Sequence, residues 1–210
     1  MNNFRAGKSG IAAETQSKIE ANFDPQEAAK CLYWIKLMTD AEEIPGVLEE
    51  IDASHDNFHE LLGDGVILLK LMDRLCPDHI NWNDKMFQKA RIEAMQLMRE
   101  RERIATFTKL AQEYGVTGTY TFPTESLHEK GALNLAQVCT CIRALGVEAQ
   151  TKPDYEGPEG FWPKKCERNI REFTEEQLNA GKNIISLQYG SNKGASQAGM
   201  NMGKPRQIND

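Results

Sequence analysis

A chain of 210 residues, 40% hydrophobic and 27% charged, has material for one sizeable core under a wetted surface. Its net charge of −6 argues against a general polyanion binder, and so against nucleic acid as a partner. No run approaches the ~20 apolar residues of a membrane span, and the polar start at residues 1–18 lacks the apolar stretch of an export signal. A cytoplasmic protein is expected.

Five cysteines (Cys31, Cys76, Cys139, Cys141, Cys166) cannot all pair, and most sit in apolar stretches. They read as reduced thiols. Cys139-x-Cys141 lacks a second ligand pair at zinc spacing, so neither a metal nor a cofactor is expected.

In chain order, Ile11, Thr15, Ile19 and Phe23 recur every four residues and predict a lead-in helix. Asp24 as cap, Pro25 at the first helical position and Glu27 three after the cap start the next helix. Ala28, Cys31, Leu32, Ile35 and Met38 line its inner face, with Trp34 beside them. Residues 40–57 form an acidic excursion carrying Pro45 and Gly46, with a short turn around Val47 to Ile51. Asp64 and Gly65 then open a helix apolar on most sides, from Val66 to Leu75, which predicts a central buried position.

Ile104, Phe107, Leu110, Ala111 and Tyr114 predict a further core helix stopped by Gly115. Ile92, Met95 and Met98 predict that this helix begins earlier, or that a separate one precedes it. After Gly131, the run Leu133 to Leu145 predicts the last core helix, closed by Gly146. Pro153, Gly157, Pro158, Gly160 and Pro163 form a linker wrapped on the domain or hanging from it. Thr174 and Gln177 then make a capping box for a short helix. Sustained strand alternation is absent, so the fold class is all-α. The divisions are a lead-in helix at 1–26, a helical domain at 27–147, a Pro/Gly linker at 148–173, and a short helix and tail at 174–210.

Catalytic signatures fail on specific residues. His55 and His59 lie four apart but lack the glutamate of a metalloprotease helix, and read as an exposed pair. Asp52 and Asp56 suggest a calcium loop, yet Asn57 and Gly63 stand where such a loop needs Gly and Glu. Gly194 to Gly199 has phosphate-loop spacing, but Met200 and Asn201 replace the required Lys and Ser/Thr. No enzyme is expected.

The tail beyond Gly181 is rich in Gly, Ser, Asn and Gln and cannot fold alone, so a largely unstructured segment is expected. From Gly181 to Asp210 it holds Lys182, Lys193, Lys204 and Arg206 against one acid, Asp210. Its composition is not that of an inert linker. Ile184, Ile185, Leu187, Tyr189 and Met200 bracket small residues, and Gly190, Gly194 and Gly199 permit close backbone approach. Asn192, Lys193, Ser196 and Gln197 supply hydrogen bonds. Such a segment is built to adhere.

The stretch Asn183 to Met200 resembles the calponin-type repeat, and Phe173 to Lys182 before it is similar to the lead-in found in transgelins. Trp34-Ile35, Leu61 to Leu69, Leu75-Cys-Pro77, Arg101 to Ile104, Glu113 to Val116, Phe122-Pro-Thr124 and Ala144-Leu-Gly146 resemble the calponin-homology domain. The resemblance implies a calponin-homology bundle of about four main helices and an actin-associated role in muscle or a contractile cytoskeleton. It assigns actin contact chiefly to the repeat: Lys182, Ile184, Ile185, Leu187, Gln188, Tyr189, Gly190, Asn192, Lys193, Gly194, Ser196, Gln197, Gly199 and Met200. Ser196 is also a candidate phosphorylation site. The partner expected is F-actin, with other cytoskeletal or signalling proteins as the alternative for the helical domain. Residues 40–57 are longer than the family's usual first loop. Ser186 and Tyr189 replace its more frequent Gly and Met, and the tail past Met200 is abbreviated.

Overall fold

The computed structural model describes residues 9–128, 133–166 and 172–183, the last four of these by backbone alone. Among the described residues there is no strand. Eight helices occur there: α1 (Ile11–Ala21), α2 (Pro25–Thr39), α3 (His55–Leu62), α4 (Val66–Leu75), α5 (Glu93–Tyr114), α6 (Glu125–His128), α7 (Leu135–Ala149) and α8 (Glu175–Asn183). The chain forms two compact units, residues 1–165 and 166–210.

Local hydrogen bonding sets the helix starts as expected. The Asp24 carboxylate accepts from the Gln26 N–H at 2.9 Å, with Pro25 leading α2. Glu27 does not reach back to close the capping box. It lies 2.9 Å from the Arg143 guanidinium of α7 instead, an ion pair whose angles fall short of a hydrogen bond at the buried Oε1. Asp64 accepts from the Val66 N–H at 2.8 Å, and Gly65 takes φ 76° ahead of α4. A Cβ at Gly65 would stand 3.0 Å from Arg103 and 3.2 Å from Ile104, so glycine lets α4 meet α5 closely.

Helix α4 is the centre of the first unit, packed against α2, α3 and α5, while α7 packs on α2, α3 and α5. Ile67, Leu68, Leu69, Leu71 and Met72 are all buried on α4. With Trp34, Phe58, Phe107 and Ile142 they form one continuous core. Lead-in helix α1 buries no residue of its own, although Phe23 just after it packs edge-on against Phe58 at 5.7 Å. The acidic excursion is pinned by buried Ala41, Ile44, Ile51 and Ala53, with a 3-10 turn at Leu48–Glu50.

One helix boundary is corrected. Gly146 does not close α7, which continues to Ala149. The glycine is required by the segment that follows. Trp162 is 2% exposed and lies on α7 so closely that a Cβ at 146 would fall 2.1 Å from its Nε1. The Pro/Gly segment is thus a strap on the helical unit, fixed by Tyr155, Phe161 and Trp162. The Gln150 side chain donates to the Trp162 carbonyl at 2.9 Å, and Arg74 pairs with Glu156 at 2.8 Å. Lys30 sits 5.0 Å over the Trp162 ring.

Gly146→Ala is a direct test of this contact. Helix propensity alone would favour alanine by about 1 kcal/mol. The clash lies at a rigid indole, so overpacking at about 1–3 kcal/mol outweighs that gain. A lower melting temperature and faster proteolysis between residues 150 and 165 are the expected results. An unchanged or raised melting temperature would show that the strap does not press on α7.

On α5 the structure decides for the earlier start. The helix runs unbroken from Glu93, but Ile92, Met95 and Met98 are 60%, 48% and 70% exposed. Met95 precedes Ile104, and Met98 precedes Phe107, by nine residues. At ~100° per residue that is half a revolution, so the two methionines point away from the core.

Candidate functional site

Of the residues singled out for filament contact, Ile184, Ile185, Leu187, Gln188, Tyr189, Gly190, Asn192, Lys193, Gly194, Ser196, Gln197, Gly199 and Met200 lie outside the described residues. Lys182 falls within α8, described by backbone. What the structure describes is the element that leads into them. Thr174 and Gln177 form a reciprocal capping box, the Gln177 N–H donating to Thr174 Oγ1 at 3.4 Å and the Thr174 N–H to Gln177 Oε1 at 3.1 Å. This satisfies two backbone donors of α8 by local means alone. Phe173 and Leu178 are 58% and 51% exposed. The helix carries acids Glu175 and Glu176 in its first turn, which suits the positive end of its dipole.

The helical unit presents other chemistry. A cleft of about 740 Å³ is lined by Asp56, His59, Glu60, Asp64, Leu97, Glu100 and His128. His55 and His59 both lie on α3 and are half-buried, where the sequence predicted an exposed pair. The His55 ring stands edge-on to Phe23 at 5.4 Å. His128 bridges α6 and α5: Arg101 Nε donates to its Nδ1 at 3.3 Å, which leaves Nε2–H to donate to Glu100 at 3.2 Å. Both ring nitrogens are therefore engaged in holding helices together. Among the described residues no three His, Cys, Asp or Glu side chains converge to hold a metal ion.

The buried thiols are kept protonated. Cys31 donates to the Cys139 carbonyl at 3.6 Å, and hydrogen bonding with the Cys139 side chain, with burial behind it, holds its thiol well above the ordinary value. Burial pushes Cys141 up to about 12 and raises Cys76. A thiol is nucleophilic as its thiolate, so these three pack as small apolar groups. Burial also pushes the Tyr114 hydroxyl up to about 12.

Two surface features escape periodicity arguments. One is the outer face of α5 with Met95 and Met98, whose apolar pattern in sequence was indistinguishable from a core stripe. The other is a groove of about 320 Å³ between α7 and the loop that follows α5, lined by Val116, Tyr120, Ala144 and Val147 and edged by Arg143 and Lys165. Its walls come from residues about thirty positions apart, and no local signal announces it.

Comparison with known proteins agrees with this architecture. Residues 25–151 match the calponin homology (CH) domain model, and residues 185–208 match the calponin family repeat model. The chain is 39% identical to myophilin of Echinococcus granulosus over 202 residues, covering 96% of each chain. A calponin homology domain spanning α2 to α7, followed by a calponin family repeat, places this chain in the calponin family.

Proposed function

We propose that the protein is a non-enzymatic cytoskeletal component of the cytoplasm that binds actin filaments, chiefly through the repeat after α8. The observation that carries this reading is the calponin family repeat over residues 185–208, on a stretch of an acidic protein with a basic excess. F-actin is an acidic polymer. Lys182 and Lys193 aid approach to it, an attraction that salt screens beyond about 8–10 Å. Grip comes from Ile184, Leu187 and Met200, each contributing about 1.5–3 kcal/mol when fully covered. One short peptide must offset its own ordering entropy, so micromolar or weaker affinity is expected.

The test is cosedimentation with F-actin of the full chain, a chain lacking residues 184–210, and Ile184→Asp with Leu187→Asp. Loss of pelleting in both altered chains, with helical content retained, is the expected result. Equal pelleting of the shortened chain would place the site in the helical domain. In the same assay Ser196→Glu is expected to pellet less than Ser196→Ala, because phosphate-like charge beside an acidic filament repels it. A second reading, an adaptor that binds another protein through the helical domain, is favoured by the exposed apolar face of α5.

A further inference from the structure

We propose that the helical unit associates head-to-tail with a second copy of this chain, the outer face of α5 on one molecule seating the acidic excursion of the next. Two complementary surfaces on one unit carry this inference. The first is apolar and basic. Met95 and Met98 point away from the core, Ile92 lies exposed at the helix start, and residues 85–102 carry Lys85, Lys89, Arg91, Arg99 and Arg101 against Glu93, Glu100 and Glu102, a net basic stretch. Methionine side chains, flexible and polarizable, adapt readily to a partner's surface. Arg99 is steadied by donating to the Gln88 carbonyl at 2.6 Å, and Arg101 by its bond to His128.

The second surface is apolar and acidic. Residues 40–56 contain Asp40, Glu42, Glu43, Glu49, Glu50, Asp52 and Asp56, and no Lys or Arg. Val47 and Leu48 at its crest are 47% and 38% exposed. Buried Ala41, Ile44, Ile51 and Ala53 anchor the segment on either side of that crest, so its acids are displayed from a fixed base. Glu43 is offset by Lys70 at 3.8 Å. Among the described residues, Glu42, Glu49 and Glu50 on this surface and Lys89 and Arg91 on the other make no ion pair within their own chain.

Each surface thus has exposed apolar side chains and charge that its own molecule leaves uncompensated, with opposite signs. Pairing of like surfaces would set acid against acid or base against base, whereas the unlike pair attracts. An unlike pair is heterologous and leaves one surface of each kind open at the ends, so it builds short chains rather than closed dimers. A molecule with one filament contact would gain a second through its neighbour. This last consequence rests on the filament reading; the association itself does not.

The test uses the full chain without actin. Sedimentation velocity at about 10 and 300 µM, in about 0.01 M and 0.15 M salt, spans a Debye length of 30 to 8 Å. Average mass is expected to rise above 23.7 kDa with concentration at low salt, and at least tenfold more protein should be needed at the higher salt. Lys89→Glu with Arg91→Glu should remain monomeric, as should Glu42→Lys with Glu49→Lys and Glu50→Lys. Mixed in equal amounts, the two variants should associate again, because each restores the other's complement. All five side chains are exposed, so the thermal melts of both variants should match the parent. A parent chain of constant 23.7 kDa under every condition would overturn the proposal, as would variants that associate alone or fail to associate when mixed. Filament pelleting that survives such a result would leave the repeat's role intact.

Discussion

Trp34→Ala is expected to lower the melting temperature of the helical unit by on the order of 10 °C. The side chain is fully buried on α2, packs edge-on to Trp162 at 5.9 Å, and donates from Nε1 to the Tyr155 hydroxyl at 3.1 Å. Truncation of a buried tryptophan costs about 3–5 kcal/mol through lost burial and the cavity left behind. At about 2–4 °C per kcal/mol for a unit of this size, that is a large shift. The loss should not be confined to the core, because Trp34 is where α2 meets the strap. Its ring supports Trp162, and its N–H holds Tyr155. Release of residues 150–165 to protease should accompany the drop in melting temperature. Trp34→Phe keeps most of the apolar contact and gives up the hydrogen bond, so it should recover more than half of the lost stability. A Trp34→Ala melting temperature within 2–3 °C of the parent, about 1 kcal/mol, would mean that the strap is not seated on this ring.

Arg103→Ala is the second large effect, expected to cost about 3 kcal/mol. The side chain is 3% exposed, and its guanidinium donates to the Asp64 carbonyl at 2.5 Å and the Met86 carbonyl at 2.6 Å. It ties the start of α4 and the loop before α5 to α5 itself. Replacing a buried charge can be neutral when its partners leave with it. Here the partners are backbone carbonyls and stay behind, each costing about 1–3 kcal/mol if left unsatisfied. Loss of the apolar stem adds to the deficit. Arg103→Met preserves the stem and should recover only the packing share. Arg103→Lys carries one ammonium where a planar fork spanned two carbonyls, and should recover less than half. Urea denaturation of the three variants checks the order. If Arg103→Met matched the parent, the two carbonyl bonds would be energetically idle.

The residues that start helices were legible because capping is settled within a few positions. Asp24, Asp64 and Thr174 each accept a backbone N–H two or three residues ahead, and the acceptor and donor are both visible in a short window. Helix identity for α2, α4, α5 and α7 followed from apolar spacing, since a repeat near 3.6 needs no knowledge of the partner that covers it. The calponin family repeat in the tail was readable too, from the residues by which that stretch resembles it.

What covers a given face was decided only in three dimensions. Met95 and Met98 continue the apolar spacing in sequence, yet among the described residues they stay exposed. Glu27 stands in a capping position and is drawn to Arg143, 116 residues away. Gly146 reads as a helix stop, and its absent side chain instead makes room for Trp162. Periodicity states which side chains share a face. Which faces are buried depends on contacts between positions more than a hundred residues apart, such as Trp34 and Tyr155, and these exist only once the helices and their strap have packed.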